Sequence, residues 1–256
     1  MKNRLYYLLA VLYVLMFAII LYINGAFSGE SISVSNLAIN VAFLIVIGIL
    51  FIISFVSFSR LNRVTDSLVD TAEEMSAKYE SVQKSLWDEY RTKKDTFSSP
   101  VLNRQFDRYQ KRIAASTNAK GTISRVCSLE EYINEDLLDN VVSAHFNSAV
   151  GGTLTGLGIL GTFIGLSMGM ISFTGSDVFT ISDNIAPLLD GMKVAFHTSV
   201  YGIFFSIVFN FVYRSLMADA YGKLSRFLMT FQECAAPVPA LVDATTRAML
   251  IYQANT

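Results

Sequence analysis

The residues that first invite a chemical reading are Gly151 to Gly169, GGTLTGLGILGTFIGLSMG, with seven glycines and three threonines among Leu, Ile, Phe, Ser and Met. Gly156-Leu-Gly158-Ile-Leu-Gly161 spells G-x-G-x-x-G, and Asp177 and Asp183 follow at a distance that suits a ribose-binding acid. A dinucleotide loop also needs a preceding strand, a tight turn at the glycines and water-facing amides for the phosphates. The stretch is instead an unbroken apolar run of membrane length, where small residues let helix backbones approach one another, and Gly161-x-x-x-Gly165-x-x-x-Gly169 has that spacing. No His-Glu metal spacing or nucleophile motif stands elsewhere, and Cys127 and Cys234 read as reduced thiols, neither a disulfide nor a metal pair. We therefore expect no enzyme, no cofactor, no metal and no direct contact with nucleic acid.

The hydroxyl and amide groups around the glycines suggest a different chemistry. Turned at about 100° per residue, Gly151, Thr155, Gly158, Gly165 and Gly169 fall within about 60° of Thr162. The same construction from Ser199 gathers Ala195, Gly202, Ser206, Asn210 and Tyr213. Two helices thus each carry a small, hydroxyl-bearing face that lipid has no use for. Either the faces bury against one another or they line a lumen holding another helix and water. Neither face contains a carboxylate, so an ion passing here needs a titrating group from a partner. His197 lies about 160° from Ser199 and reads as a packing or headgroup residue. At the outer end, Asp183, Asp190 and Lys193 are candidates for a charged mouth.

The elements that must hold these faces are membrane helices. The chain is 52% hydrophobic and 16% charged, too apolar for an ordinary soluble domain. Leu5 to Ile23, Leu37 to Phe58, Val150 to Phe173 and Met192 to Tyr213 are each long enough to cross about 30 Å of hydrocarbon. Lys2 and Arg4 precede the first run, thirteen Lys and Arg lie from Arg60 to Arg125, and four more follow the last, whereas Asn24 to Asn36 and Thr174 to Gly191 hold none. The positive-inside rule then places both termini and the central segment in the cytoplasm. The first run exceeds the length of a signal-peptide core and reads as a span.

We expect an all-α integral membrane protein: residues 1–58 a transmembrane hairpin, 59–149 a cytoplasmic helical segment, 150–213 the paired glycine-bearing spans, and 214–256 C-terminal cytoplasmic helices. Apolar residues at Leu61, Val64, Leu68, Ala72, Met75, Tyr79, Val82 and Leu86 predict an amphipathic stalk continuing the second span. KKDTFSSP breaks it before a helix from Val101 to Ala115. Ser128-Leu-Glu-Glu131 predicts a capping box, with a helix running from it through Leu137 and Val141 into the third span. Pro187 predicts a turn or a helix start before the fourth. Lys93-Lys94 and Glu130-Glu131 read as solvated faces, with docking of a cytoplasmic effector as the sharper alternative.

Gly158-Ile-Leu-Gly-Thr162-Phe-Ile-Gly-Leu166 and Gly191-Met-Lys-Val-Ala-Phe-His-Thr-Ser199-Val-Tyr-Gly202 resemble the MotA/TolQ/ExbB superfamily of ion-driven motor subunits. The phrase GMKxAFxTS is most similar to its ZorA branch, found in Zorya anti-phage defence, whose members carry a helical tail after the fourth span; residues 214–256 read as the start of one. The resemblance implies a homopentamer in the bacterial inner membrane whose third and fourth spans surround a dimer of a single-span MotB-, ExbD- or ZorB-like partner. That partner brings the membrane aspartate and a peptidoglycan-binding domain. Flow of H+ or Na+ would drive rotation. By the same resemblance Thr162 matches the pore threonine and Ser199 the polar residue three places before a glycine, with Thr198 an adjacent competitor. A TolQ-, ExbB- or MotA-like energiser and a non-conducting membrane scaffold are the alternatives.

Overall fold

The structure is a computed structural model describing residues 5–23, 34–118, 123, 127–171, 178–237 and 249. Among the described residues the regular structure is α1 Tyr7–Ile23, α2 Val34–Val82, α3 Trp87–Tyr90, α4 Pro100–Ala115, α5 Glu135–Val142, α6 Ala144–Ile171 and α7 Val178–Cys234, with a 3-10 turn at Leu129–Glu131. Among the described residues the only β pairing is a single bridge, Thr117 to Ile123. Three helices among the described residues, α2, α6 and α7, are long and apolar enough to cross a membrane, and α1 is apolar but shorter at 17 residues.

The chain divides into two compact units. One comprises Asn3–Phe58 and Val142–Met217, the other Ser59–Val141 and Ala218–Thr256. In the first, α2 buries Leu44, Ile47, Phe51 and Phe58 at helical spacing. Against this stripe α7 lays Phe205, Phe209 and Tyr213: Phe51 meets Phe205 edge-on at 5.3 Å and stacks on Phe209 at 5.9 Å, and Phe58 stacks on Tyr213 at 6.2 Å. Tyr13 of α1 donates its hydroxyl to the Leu44 carbonyl at 2.9 Å, which satisfies the group inside an apolar setting.

The second unit has a conventional core. Leu61, Val64, Leu68, Ala72 and Met75 of α2 are buried, as are Leu102, Phe106, Tyr109 and Ile113 of α4 and Leu224, Phe227 and Phe231 of α7. Amides fix the segment between α3 and α4: Asn103 caps both the N–H and the carbonyl of Phe97 at 2.7 Å, and Gln110 donates to the Tyr90 carbonyl at 2.6 Å. Lys223 places its ammonium 2.9 Å from Asp219 and 3.7 Å from Asp66, tying α7 to α2 by charge.

The structure corrects four local expectations. The stalk ends at Val82, because Gln83 adopts φ 49°, so Leu86 is buried from an irregular segment instead of a helix face. The capping box at Ser128 forms as expected, but it opens only a 3-10 turn. α5 and α6 are separate helices, since Ser143 between them takes φ 55°, a left-handed conformation that a helix cannot continue through. Finally, α7 starts at Val178, so the segment expected as an outer loop from Thr174 is helical over 178–191 and Pro187 lies inside it. Asp177 falls outside the described residues, and the side chain of Asp183 is likewise not described.

Candidate functional site at the α6–α7 seam

The glycines of α6 and α7 meet each other within one chain. Gly158 faces the Cα of Gly202 and the backbone of Ser199, Gly165 faces Gly191 and Ala195, and Gly169 faces Leu188 and Gly191. A Cβ placed on Gly202 would sit 2.6 Å from the Gly158 Cα, and one on Gly165 would sit 2.6 Å from the Ala195 nitrogen. No side chain fits there. Helices packed this closely touch main chain to main chain, which is how small-xxx-small patterns hold membrane helices without a hydrophobic driving force.

Two flanks of the seam differ in chemistry. On one, Gly161 packs on the side chain of Thr198, which is 1% exposed and donates its hydroxyl to the Val194 and Ala195 carbonyls at 2.9 and 3.1 Å. On the other, Gly151 packs on the Asn210 side chain and Gly158 on the Ser199 backbone. Thr155, Thr162, Ser199 and Asn210 are all half-buried, and Ser206 is buried. Thr162 donates to the Ile159 carbonyl and Thr155 to that of Gly151, back-bonding that satisfies each donor and leaves the oxygen lone pairs for another partner. On α7, Phe205 and Phe209, which pack on Phe51 of α2, lie roughly 60–140° around the helix from Ser199, Ser206 and Asn210, and Tyr213, which packs on Phe58, lies about 20° from Ser206. Ser199 and Asn210 are thus turned away from the Phe205–Phe209 contact with α2, whereas Ser206 lies beside the Tyr213 contact.

With the geometry in place, comparison with known proteins adds the family. The family model described as anti-phage protein ZorA, Zorya type I system, matches residues 19–235. The chain belongs to the ZorA family. It is 51% identical over 59 residues to the Zorya protein ZorA of Escherichia coli Crooks, covering 23% of this chain and 10% of that one. It is 32% identical over 96 residues to the Zorya protein ZorA of Escherichia coli O139:H28, covering 38% of this chain and 13% of that one. The matched segments thus span little more than a tenth of either relative's length.

In this ZorA-family chain the small residues Gly158, Gly165, Gly169, Ala195 and Gly202 form the seam itself, while Thr155, Thr162, Ser199, Ser206 and Asn210 gather along one side of it. On α7, Lys193 pairs with Asp190 at 3.0 Å, so those two charges neutralise one another. His197 stacks on Tyr201 with ring centroids 6.2 Å apart. Sequence reasoning misses Gly191 as a seam residue. Its signal is present, since Gly191, Ala195, Thr198 and Gly202 recur at spacings of four, three and four. It misses Asn147 too, which is fully buried at the start of α6, its amide donating to the Val142 carbonyl at 2.6 Å across the Ser143 break.

Proposed function

We propose that this chain is the membrane motor subunit of a Zorya anti-phage system. In this reading α1, α2, α6 and α7 are four spans of the bacterial inner membrane with both termini cytoplasmic. Five copies surround a dimer of a single-span ZorB-like partner, and H+ or Na+ flow turns one against the other. Membership of the ZorA family supports the system, and the single observation that carries the mechanism is the one-sided hydroxyl edge. A glycine seam fixes α6 to α7 while Thr155, Thr162 and Ser199 stand beside it with spare acceptor capacity. Five such edges make a narrow polar wall against which a partner carboxylate can exchange its ion. Each elementary charge moved across 100 mV releases about 2.3 kcal/mol, enough to bias a step between shallow wells.

Ser199, and not Thr198, borders the lumen in this arrangement. The test is a phage-protection assay of the complete system carrying Thr162→Ala or Ser199→Ala, with assembly checked by native mass spectrometry. Protection is expected to fall at least tenfold with the complex intact, in keeping with the loss of a positioned polar contact. Full protection by both variants would favour a scaffold whose seam only packs helices.

A further inference from the structure

The second unit carries an unfilled groove of about 440 Å³ between the 3-10 turn, the start of α5 and α7. Glu130, Glu135 and Asp136 rim it, all three exposed, and Leu228 and Met229 line its apolar side, Met229 being 67% exposed. Among the described residues none of the three acids takes part in an ion pair. The same unit presents the complement. On α4, Arg104, Arg108 and Lys111 recur at spacings of four and three on the face opposite its buried stripe of Leu102, Phe106, Tyr109 and Ile113. Lys111 is paired with Asp107 at 2.6 Å, but among the described residues neither Arg104 nor Arg108 has an ion pair, and Val101 beside them is 38% exposed.

We infer that the groove of one copy receives the basic face of α4 from the next copy. The groove-lining residues of α7 lie roughly 100° around that helix from Phe227 and Phe231, the stripe that packs on the Phe97–Tyr109 cluster, so one chain cannot satisfy its own groove with its own α4. Two different surfaces meeting head to tail generate a ring when the rotation closes. Arginine forks suit the carboxylate rim, and Val101 offers an apolar contact for Met229. The contact deepens the ring reading above and rests on it. It adds an electrostatic register outside the apolar spans, one that salt weakens.

Zero-length carbodiimide coupling tests it on the full chain in detergent. Arg104→Lys/Arg108→Lys chains are made in light and heavy isotopic forms, mixed during assembly and coupled. The expected product is an isotopically mixed peptide joining α4 to the segment 130–136. Reversal of the rim, Glu135→Lys/Asp136→Lys, or of the helix, Arg104→Glu/Arg108→Glu, should raise the dissociation constant of the assembly roughly tenfold at low salt, and combining the two should restore it to within about twofold. A wild-type chain that runs as a single copy by native mass spectrometry overturns the ring and this contact together. A ring that yields only same-isotope links, or none, between α4 and the groove overturns this contact alone.

Discussion

Thr198 and Ser199 are sequence neighbours with different surroundings. Thr198 is buried against Gly161 and spends its proton on carbonyls of its own helix, whereas Ser199 stands half-buried beside Gly158. Thr198→Val should therefore leave phage protection within about twofold of wild type, since loss of a back-bonded hydroxyl costs about 1 kcal/mol or less. Ser199→Ala should not be tolerated. In the second unit, burial pushes the Tyr90 hydroxyl up to about 12, with the Glu74 and Glu89 carboxylates adding to it, and that hydroxyl has no hydrogen-bond partner among the described residues. A group whose folded pKa is raised contributes stability below its unfolded value, here pH 10, and loses it as pH climbs toward the folded value. Wild type should accordingly lose thermal stability between about pH 10 and 12 more steeply than Tyr90→Phe, as read by circular dichroism melts. At this scale the sequence identifies the polar residues but leaves Thr198 and Ser199 unseparated. They differ by one 100° step on a helix, and only the position of the neighbouring helix says which side of that step is covered.

Between elements, the seam sets the tolerance for added volume. Gly202→Ala places a methyl 2.6 Å from the Gly158 Cα, against backbone that cannot rotate away. It should cost about 1–3 kcal/mol despite the better helix propensity of alanine. Gly156→Ala meets nothing within 4 Å and should be neutral or stabilising in the single chain. Detergent melts of the two variants side by side give the contrast directly. Helix existence is readable from apolar periodicity, and the KKDTFSSP break and the α4 start at Pro100 agree with it. Helix ends are not so readable. Gln83 and Ser143 stop helices through left-handed backbone, which non-glycine residues adopt only when tertiary packing outweighs a cost of about 1 kcal/mol, and local sequence gives no sign of it. The Val178 start of α7 is hidden because its first turns lack basic residues and contain a proline, both of which read as an outer loop.

Across the whole molecule, hydropathy and the uneven placement of Lys and Arg make a membrane protein legible in the order of residues alone, and family membership places it among the ZorA proteins. The described part of α6 holds no acidic side chain, and α7 has none from Gly191 to Met217, so the proposed ion path has no titrating carboxylate of its own. The chain expressed without a single-span partner should leave vesicles proton-tight under an imposed potential, as monitored with a trapped pH-sensitive dye, and co-expression with the partner should open the leak. Copy number and ring contacts lie beyond what one chain's sequence encodes by periodicity, because the surfaces that meet belong to different molecules. The core of the α6–α7 joint, finally, where Gly158, Gly165, Gly169, Gly191 and Gly202 meet, consists of main chain on main chain. It has no rotamers to surrender when it forms and none to rearrange when strained, so drift there should proceed by abrupt loss of function, with few graded intermediates, while the neighbouring threonine and serine rows are free to be retuned one hydroxyl at a time.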